Sequence, residues 1–494
     1  MPSISHAPSE GMLRPGVMPS LQVSYVSAAV LAAAVLVAAV PASTDAAGFG
    51  TPRTVSVRGG IVSTPQAVVA PNGRTAVLWE ERNRDTGGGR RYRIAIGPSP
   101  NRLGPARTVG AGLRAARTGA SAELLALPNG GFAVCFGDLT RTGRRTPGCA
   151  FASPKGGVGR LRPIAAFGPR EAPSFAVAAR PDGRLALLVS RRVGDGRMMT
   201  LRTGAMTPSG RITGSHALAT VRRSVPFDIA ATNDGTVAVS WSTGPSGVFV
   251  GDRTPVLRFQ LPASDRFGPA VPFTPESTID GGVGLQGGRS LLLSYSAGSS
   301  VGDGGLRVVR RTADGTFEPP MRLPAATKDG AADGAVVQLP DGTPFAVTTA
   351  VHQPNSDCGA IDRGIVGAGP LVDSGTGPTA ERLSAPRQIA IDPGAAVLRD
   401  GTVIATWGDA TGDTKTLEVA LRTPRANRFS RPQVLPLPAT RTVALAAGGN
   451  HAVLAWVTGS LPDGPARVVV SGLRRTGPYA PPTRRPTQSI APCL

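Results

Sequence analysis

Five acidic residues stand at regular positions ahead of a repeated turn, and carboxylates arranged in this way can hold a cation or bind sugar hydroxyls. Their offsets from the third residue of the following turn are 7, 7, 9, 9 and 9. Because alternate strand residues point to the same face, odd offsets predict that all five share one face. The candidate ligand or cation residues are Glu123, Asp228, Asp280, Asp333 and Asp392. We expect the carboxylates of Asp228, Asp280 and Asp333, from consecutive repeats, to converge.

Further acidic residues recur between the second and third strands of nearly every repeat, at the same end as the five carboxylates. They are Asp85, Asp138, Asp195, Asp252, Asp303, Asp357, Asp362, Asp409, Asp413 and Asp463. Together the two sets predict an acidic mouth on a basic protein, with no cofactor other than a divalent cation. The alternative is that each aspartate is an ordinary turn residue, because aspartate hydrogen-bonds its own backbone in turns.

The elements that must position these residues come from a unit that returns eight times. Each unit holds a turn and then an apolar strand, as in Asn233-Asp234-Gly235 followed by TVAVSW, and the third turn residues are 49 to 59 positions apart. A period near 50 with four short strands per unit is typical of propeller blades. We therefore predict an all-β fold, a β-propeller of eight four-stranded antiparallel blades. Seven blades is the alternative if repeat six, which carries the longest insertion, is misread.

One position of the unit, six residues after each turn, is aromatic in most copies. It is occupied by Trp79, Phe136, Val189, Trp241, Tyr295, Thr348, Trp407 and Trp456. Aromatic side chains at one position of a buried strand favour core packing between blades over a ligand cage.

A second turn, between the third and fourth strands, has its own pattern of a polar turn followed by an aromatic residue. It occurs at 265–269, 314–319, 427–429 and 477–481. This pattern resembles the Asp-box of the sialidase-like (BNR-repeat) propellers, in which the aromatic residue plugs the blade edge. Phe49-Gly50-Thr51-Pro52 is similar and precedes the first blade. We therefore expect Arg53–Arg58 to pair with the outer edge of the last blade and to close the ring.

The resemblance to sialidases implies an arginine triad, a Tyr/Glu nucleophile pair, an aspartate acid/base and an Arg-Ile-Pro element. Arg91-Tyr92-Arg93-Ile94 lacks the proline. The other tyrosines are Tyr25, Tyr295 and Tyr479, of which the first lies in the N-terminal segment and the second in the packing column. The four histidines show no metal-binding spacing. The sequence therefore assigns no catalytic residue.

The N-terminal segment is typical of a secretory signal, since the apolar run Val26–Val40 precedes Pro41-Ala42-Ser43. We predict a signal peptide over 1–42, with cleavage after residue 46 as the alternative, one propeller domain over 48–488 and a tail over 489–494. No transmembrane span is expected after signal removal. The predicted location is extracellular or in the cell envelope.

The net charge of +21 rests on 53 basic residues, of which three are lysine. Such a surface attracts acidic polymers such as envelope glycans or phospholipid. An excess of arginine, alanine, glycine and proline is equally what a GC-rich genome encodes. Aromatic residues make up 4% of the chain, which provides few stacking platforms for nucleic acid. Nucleic acid is therefore not the expected partner.

Four cysteines are consistent with an oxidising destination. Cys135 and Cys149 flank a predicted hairpin that turns near Thr142, so that they face each other across neighbouring strands. By elimination Cys358 pairs with Cys493; the alternative is two free thiols.

These features predict a secreted, monomeric binding or interaction module, whose ligand is a carbohydrate or an anionic envelope polymer. The alternative is a glycoside hydrolase or lyase that uses carboxylates at the channel mouth, and such an enzyme needs two carboxylates about 5–9 Å apart.

Overall fold

The structure is a computed structural model, and all described residues belong to the compact unit Asp45–Leu494. The structure describes residues 48–474 apart from 57–59, 62–64, 83–89, 111–113, 116–121, 137–138, 142–143, 146, 165–173, 194–197, 223–226, 244–253, 274–283, 298–304, 325–332, 353–362, 374–379, 412–415, 437–442 and 459–465. The predicted signal peptide and the C-terminal tail lie outside the described residues.

Eight antiparallel sheets form the blades of an eight-bladed β-propeller, as the sequence period predicts. The inner strand, A, of most blades contacts the A strand of the next, and that of blade 8 contacts that of blade 1. The A strands of blades 1 to 8 are Gln66–Val69, Ala122–Ala126, Phe175–Ala179, Phe227–Ala231, Gly284–Gln286, Asp333–Gln338, Ala390–Val397 and Val443–Gly448.

The remaining strands of each blade follow outwards in the order B, C and D. The B strands are Thr75–Arg82, Phe132–Phe136, Leu185–Val193, Val237–Thr243, Leu291–Ala297, Pro344–His352, Val403–Asp409 and His451–Thr458. The C strands are Arg90–Gly97, Gly148–Ala152, Met198–Met206, Thr254–Gln260, Gly305–Arg311, Arg363–Pro370, Thr416–Arg422 and Arg467–Arg474. The D strands are Arg107–Val109, Arg162–Pro163, Ile212–Arg222, Val271–Pro272, Met321–Arg322, Glu381–Arg382, Gln433–Pro436 and, for blade 8, Arg53–Thr54.

The turns between the A and B strands of blades 1, 2, 3, 4, 6 and 7 share one geometry. A glycine takes a positive φ, for example 84° at Gly73 and 80° at Gly183, where a side chain would be strained. The preceding asparagine or aspartate accepts a hydrogen bond from the amide two residues further on, as between Asp182 and Arg184. The repeated turn therefore fixes the register of each hairpin.

The packing column lies where the sequence predicts it. Seven of its eight members are buried, with Trp79, Trp407 and Trp456 at most 1% exposed, and Val189 is partly buried. These side chains join clusters that combine neighbouring blades, such as the one formed by blades 6 and 7 around Trp407. The core of the protein thus consists of interfaces between blades.

The first strand, Arg53–Thr54, closes the ring, which confirms the expected pairing for these residues, whereas residues 57 and 58 lie outside the described residues. Arg53 lies opposite Val470 and Thr54 opposite Val469, on the outer edge of blade 8. Phe49 is buried among side chains of blades 7 and 8, and its amide donates a hydrogen bond to Gln433 Oε1 at 2.8 Å. Phe49 therefore occupies in blade 8 the place of the aromatic residue that follows the C–D turns.

The aromatic residues after the C–D turns pack against the preceding blade. Phe317 contacts Phe259 of blade 4, and Phe429 contacts Phe345 of blade 6. The polar turn before Phe317 is held by Asp314, which accepts a hydrogen bond from the Thr316 amide. These turns connect neighbouring blades at the circumference.

A disulfide joins Cys135 and Cys149, as predicted. The two residues lie directly opposite each other on strands B and C of blade 2. Beyond them the chain forms the hairpin Leu139–Arg141 and Arg144–Arg145. The predicted pair Cys358 and Cys493 lies outside the described residues.

Three further short strands extend the blades. Gly60–Ile61 and Arg114–Ala115 lengthen the sheet of blade 1 at its B–C end, and the second of these also pairs with Leu139–Arg141. Val372–Asp373 adds a fifth strand to blade 5. A short 3-10 helix, Pro100–Arg102, lies in the C–D connection of blade 1. The part of the chain that the structure describes contains no apolar helix of membrane-spanning length.

Candidate functional site

The A strands carry a polar residue at one equivalent position in three blades. Gln66 lies opposite Leu78, Glu123 opposite Cys135 and Asp228 opposite Ser240, each seven residues before its turn glycine. All three side chains hydrogen-bond the backbone of the A strand of the following repeat. We call Gln66, Glu123 and Asp228 the inter-blade clips.

Gln66 shows the arrangement most completely. Its Oε1 accepts a hydrogen bond from the Leu124 amide at 2.9 Å, and its Nε2 donates to the Ala122 carbonyl. One amide side chain of blade 1 therefore satisfies both a donor and an acceptor on the A strand of blade 2. Sequence reasoning missed Gln66 because only acidic residues were considered, although its offset of seven equals that of Glu123 and Asp228.

Glu123 is the most perturbed carboxyl of this set. Its pKa is raised to about 7 by burial and, to a smaller extent, by the negative charge of Asp228, while a hydrogen bond from the Val177 backbone opposes the shift. A carboxyl with a pKa near 7 exchanges its proton close to neutral pH. Glu123 is therefore suited to acid/base work as well as to joining blades 2 and 3.

Asp228 has both carboxylate oxygens occupied by backbone donors. Its Oδ2 accepts from the Leu285 amide in blade 5 and its Oδ1 from the Ile229 amide, each at 2.8 Å. Burial raises the pKa of Asp228, and these two hydrogen bonds oppose the shift. Because the pKa of a carboxyl rises when its charge is desolvated, Asp228 and Glu123 both lie in a low-polarity environment.

Blade 3, which stands between these two carboxylates, has no polar group at this position. Ala176 lies opposite Leu188, in the place that Glu123 and Asp228 occupy in their own blades. The structure thus places Glu123 and Asp228 on either side of a small residue, near enough for their charges to interact. Of the five residues that strand parity predicts on one face, these are the two whose interaction the structure describes.

The other three predicted residues do not extend this pair in the described part of the structure. Asp392 is exposed, with a φ of 52°, in an irregularity between Ile391 and Gly394 that interrupts strand parity. Asp333 lies opposite Thr349 at the start of the blade 6 A strand, and its side chain is not among those described. Asp280 lies outside the described residues.

The turn aspartates have a different environment. Asp234 and Asp341 each accept the backbone amide two residues further on, and hydrogen bonds of this kind lower their pKa values. These residues are exposed and remain ionised at neutral pH. Among the described residues, no three His, Cys, Asp or Glu side chains come together to hold a metal ion.

Comparison with known proteins is limited to solved structures. No family model matches the chain, and no curated protein sequence matches it. The α-L-arabinanase of Penicillium chrysogenum is 14% identical, with a TM-score of 0.34 over 61% of this chain and 92% of its own. A PL25 ulvan lyase is 10% identical, with a TM-score of 0.40 over 84% of this chain and 94% of its own.

A protein of unknown function from Dyadobacter fermentans is 13% identical, with a TM-score of 0.35 over 61% of this chain and 94% of its own. Such low identities and TM-scores carry no argument about activity. The chain is an eight-bladed β-propeller, and its resemblance to the Asp-box family stays a prediction.

Proposed function

We propose that the protein is a secreted, non-catalytic binding module that holds an anionic polymer of the cell exterior. The observation that carries this proposal is the distribution of exposed arginines on the outer strands. Every blade contributes at least one from its C strand, D strand or C–D connection. This arginine belt comprises Arg91, Arg102, Arg107, Arg160, Arg162, Arg202, Arg211, Arg222, Arg266, Arg322, Arg382, Arg425, Arg428, Arg431, Arg467 and Arg474.

The arginine belt is poorly neutralised by its surroundings. On the same strands and connections, the exposed carboxylates among the described residues are Asp265 and Asp314. Outside these outer strands and connections, exposed aspartates such as Asp182 and Asp400 lie in the A–B turns. A surface with one predominant sign of charge attracts polyanions at long range and releases their counterions on binding.

The exposed surface offers little for an apolar partner. The large exposed hydrophobic residues in the described part are Val193, Leu261 and Val434, on three different blades. Single apolar residues of this kind are normal on a monomer and do not form a protein interface. A charged polymer is therefore a better match to the surface than a second protein.

The proposal is tested by measuring binding to immobilised dextran sulfate and polygalacturonate, with neutral dextran as the control polymer. We expect binding to at least one polyanion and none to dextran. The triple variant Arg425→Ser, Arg428→Ser, Arg431→Ser removes three belt charges, which at about 1 kcal/mol each should weaken binding by roughly a hundredfold.

The matched control carries the same change of net charge outside the belt, at Arg191→Ser, Arg289→Ser and Arg399→Ser. This control should bind with nearly wild-type affinity. Equal losses in both triple variants would show that net charge alone determines binding, and equal binding to dextran would overturn the proposal.

The second candidate function is a glycoside hydrolase or lyase, and it is favoured by one observation. Glu123 has a pKa of about 7 beside Asp228, and enzymes tune a general acid in this way. Against it, both oxygens of Asp228 accept backbone hydrogen bonds. Release of reducing ends or unsaturated uronic acid from a polysaccharide, lost in Glu123→Gln, would favour the enzyme over the binding module.

A further inference from the structure

A basic cavity lies between blades 1 and 2, on the side of the A–B and C–D turns. Its volume is about 360 Å³, within the range of small-ligand pockets. Four cationic side chains line it: Arg74 after the A–B turn, Arg102 and Arg107 around the C–D connection of blade 1, and Lys155 from the C–D turn of blade 2. The described residues that line it include no carboxylate.

The four cationic side chains of this cavity have no counterion in the described part of the protein. None of the four forms an ion pair with a described carboxylate, since the ion pairs there involve Arg91, Arg93, Arg180, Arg184 and Arg310. Arg74 Nε is buried and has no hydrogen-bond partner. A buried guanidinium nitrogen without a partner costs free energy, which an anionic ligand would offset.

The equivalent place between blades 3 and 4 provides an internal comparison. Arg184 follows its turn glycine as Arg74 does, but Asp182 precedes that glycine where blade 1 has Asn72. Asp182 binds Arg184 through its carboxylate at 2.6 Å and also pairs with Arg180 at 3.3 Å. The cavity there is smaller, about 150 Å³, and Asp265 also lines it. At the turn position where blade 3 has the counterion Asp182, blade 1 therefore has the uncharged Asn72.

We infer that the cavity between blades 1 and 2 binds one anionic substituent, a carboxylate, sulfate or phosphate, of a sugar unit. This inference rests on the proposed function and names the site where the polymer is held specifically. Arginine presents planar donors that match oxyanions, and Lys155 adds a point charge. Ile94, Ile96 and Pro105 supply an apolar wall against which the carbon face of a sugar ring packs.

The site can be closed with a substitution that keeps the turn. Asn72 Oδ1 accepts the Arg74 amide, and aspartate makes the same hydrogen bond at position 182. Asn72→Asp therefore preserves the local fold and gives Arg74 an internal counterion. Asn129→Asp is the matched control, because Asn129 occupies the same turn position in blade 2, bonds the Gly131 amide and precedes no arginine.

The experiment is calorimetric titration of the full-length protein with glucuronate, glucose 6-sulfate, glucose 6-phosphate and uncharged glucose. We expect one binding site for at least one of the three charged sugars and none for glucose. Comparison of the three charged sugars identifies which anion is preferred. Asn72→Asp should weaken binding at least tenfold, whereas Asn129→Asp should stay within twofold of wild type. Thermal melting checks that both variants fold.

Two results would overturn the inference: charged sugars that bind no better than glucose, or equal weakening by Asn72→Asp and Asn129→Asp. With either result, continued binding of dextran sulfate would still support the proposed function, polymer binding by the arginine belt. Loss of dextran sulfate and polygalacturonate binding with a retained monosaccharide site would instead contradict the proposed function alone.

Discussion

The charge of Asp228, on the A strand of blade 4, raises the pKa of Glu123 on the A strand of blade 2. The two residues are 105 positions apart in the sequence, and Ala176 of blade 3 lies at the equivalent position between them. The ring of blades therefore couples two carboxyl groups that each join their own blade to the next. The stability of the protein should depend on pH because of this coupling.

The free energy of unfolding should fall as the pH rises from about 4.5 to about 7. The folded protein holds the Glu123 proton up to a pKa of about 7, whereas the unfolded chain loses it near 4.5. Folding therefore binds a proton in this window, and the stabilisation is lost as the pH passes the folded pKa. With allowance for partial exposure, Glu123→Gln should be about 1–3 kcal/mol more stable than wild type at pH 8 and equal to it at pH 4.

Urea unfolding at both pH values measures this difference. Leu261→Ala, at an exposed residue that carries no titratable group, is the control and should leave the pH dependence unchanged. Removal of the neighbouring charge in Asp228→Asn should lower the pKa of Glu123 in a carboxyl-carbon NMR titration. A Glu123 pKa near 4.5 in the wild type would contradict the coupling.

Phe49 should be essential for ring closure. Its side chain is 4% exposed in a cluster shared by blades 7 and 8. Phe49→Ala should lower the free energy of unfolding by about 3–5 kcal/mol, as other core truncations of phenylalanine do. Leu261→Ala, at an exposed apolar residue, should change it by less than about 0.5 kcal/mol. Similar melting temperatures for the two variants would show that blade 8 closes without Phe49.

The disulfide of blade 2 should stabilise the fold by constraining a short loop. Cys135 and Cys149 are 14 residues apart, and closing a loop of this size contributes about 3 kcal/mol. The double variant Cys135→Ala, Cys149→Ala should lose about that much in denaturant unfolding. Peptide mapping without reductant tests both predicted pairs, and recovery of free Cys135 from protein purified without reductant would contradict the first. Pairing of Cys358 with Cys493 stays a prediction.

Calcium should not stabilise the protein through Asp228. Both carboxylate oxygens already accept a backbone hydrogen bond, so about half of their lone pairs are left for a cation. Melting curves with and without millimolar calcium should therefore coincide, in the wild type and in Asp228→Asn. A calcium-dependent rise that disappears in Asp228→Asn would show by linkage that the mouth holds a cation.

The architecture was predictable because each repeat combines turn chemistry with an apolar strand. Gly73 and its equivalents need a positive φ, and the residues at the Trp79 position are buried, so local and tertiary preferences agree. Ring closure could also be predicted from the sequence, because Phe49 precedes a segment that resembles the other D strands. Eight local signals of one kind leave few alternative folds.

The candidate site was less predictable, for reasons that particular residues show. The irregularity at Asp392 breaks the strand parity on which the prediction rested. Its sequence signal is Pro393-Gly394, because proline and glycine inside a strand mark a bulge, and strand parity alone takes no account of it. The raised pKa of Glu123 arises from burial and from a charge two blades away, which only the assembled ring determines. By contrast, the difference between Asn72 and Asp182 is visible in the sequence, but its meaning depends on the cavity beside Arg74.

The most direct test of the proposed function is the salt dependence of binding to dextran sulfate. If exposed arginines of the belt replace the counterions of the polymer, the logarithm of the association constant falls linearly with the logarithm of the salt concentration. We predict a steep negative slope that becomes shallower in the variant Arg425→Ser, Arg428→Ser, Arg431→Ser. An affinity that does not change with salt, or a slope that the triple variant leaves unchanged, would contradict binding through the arginine belt.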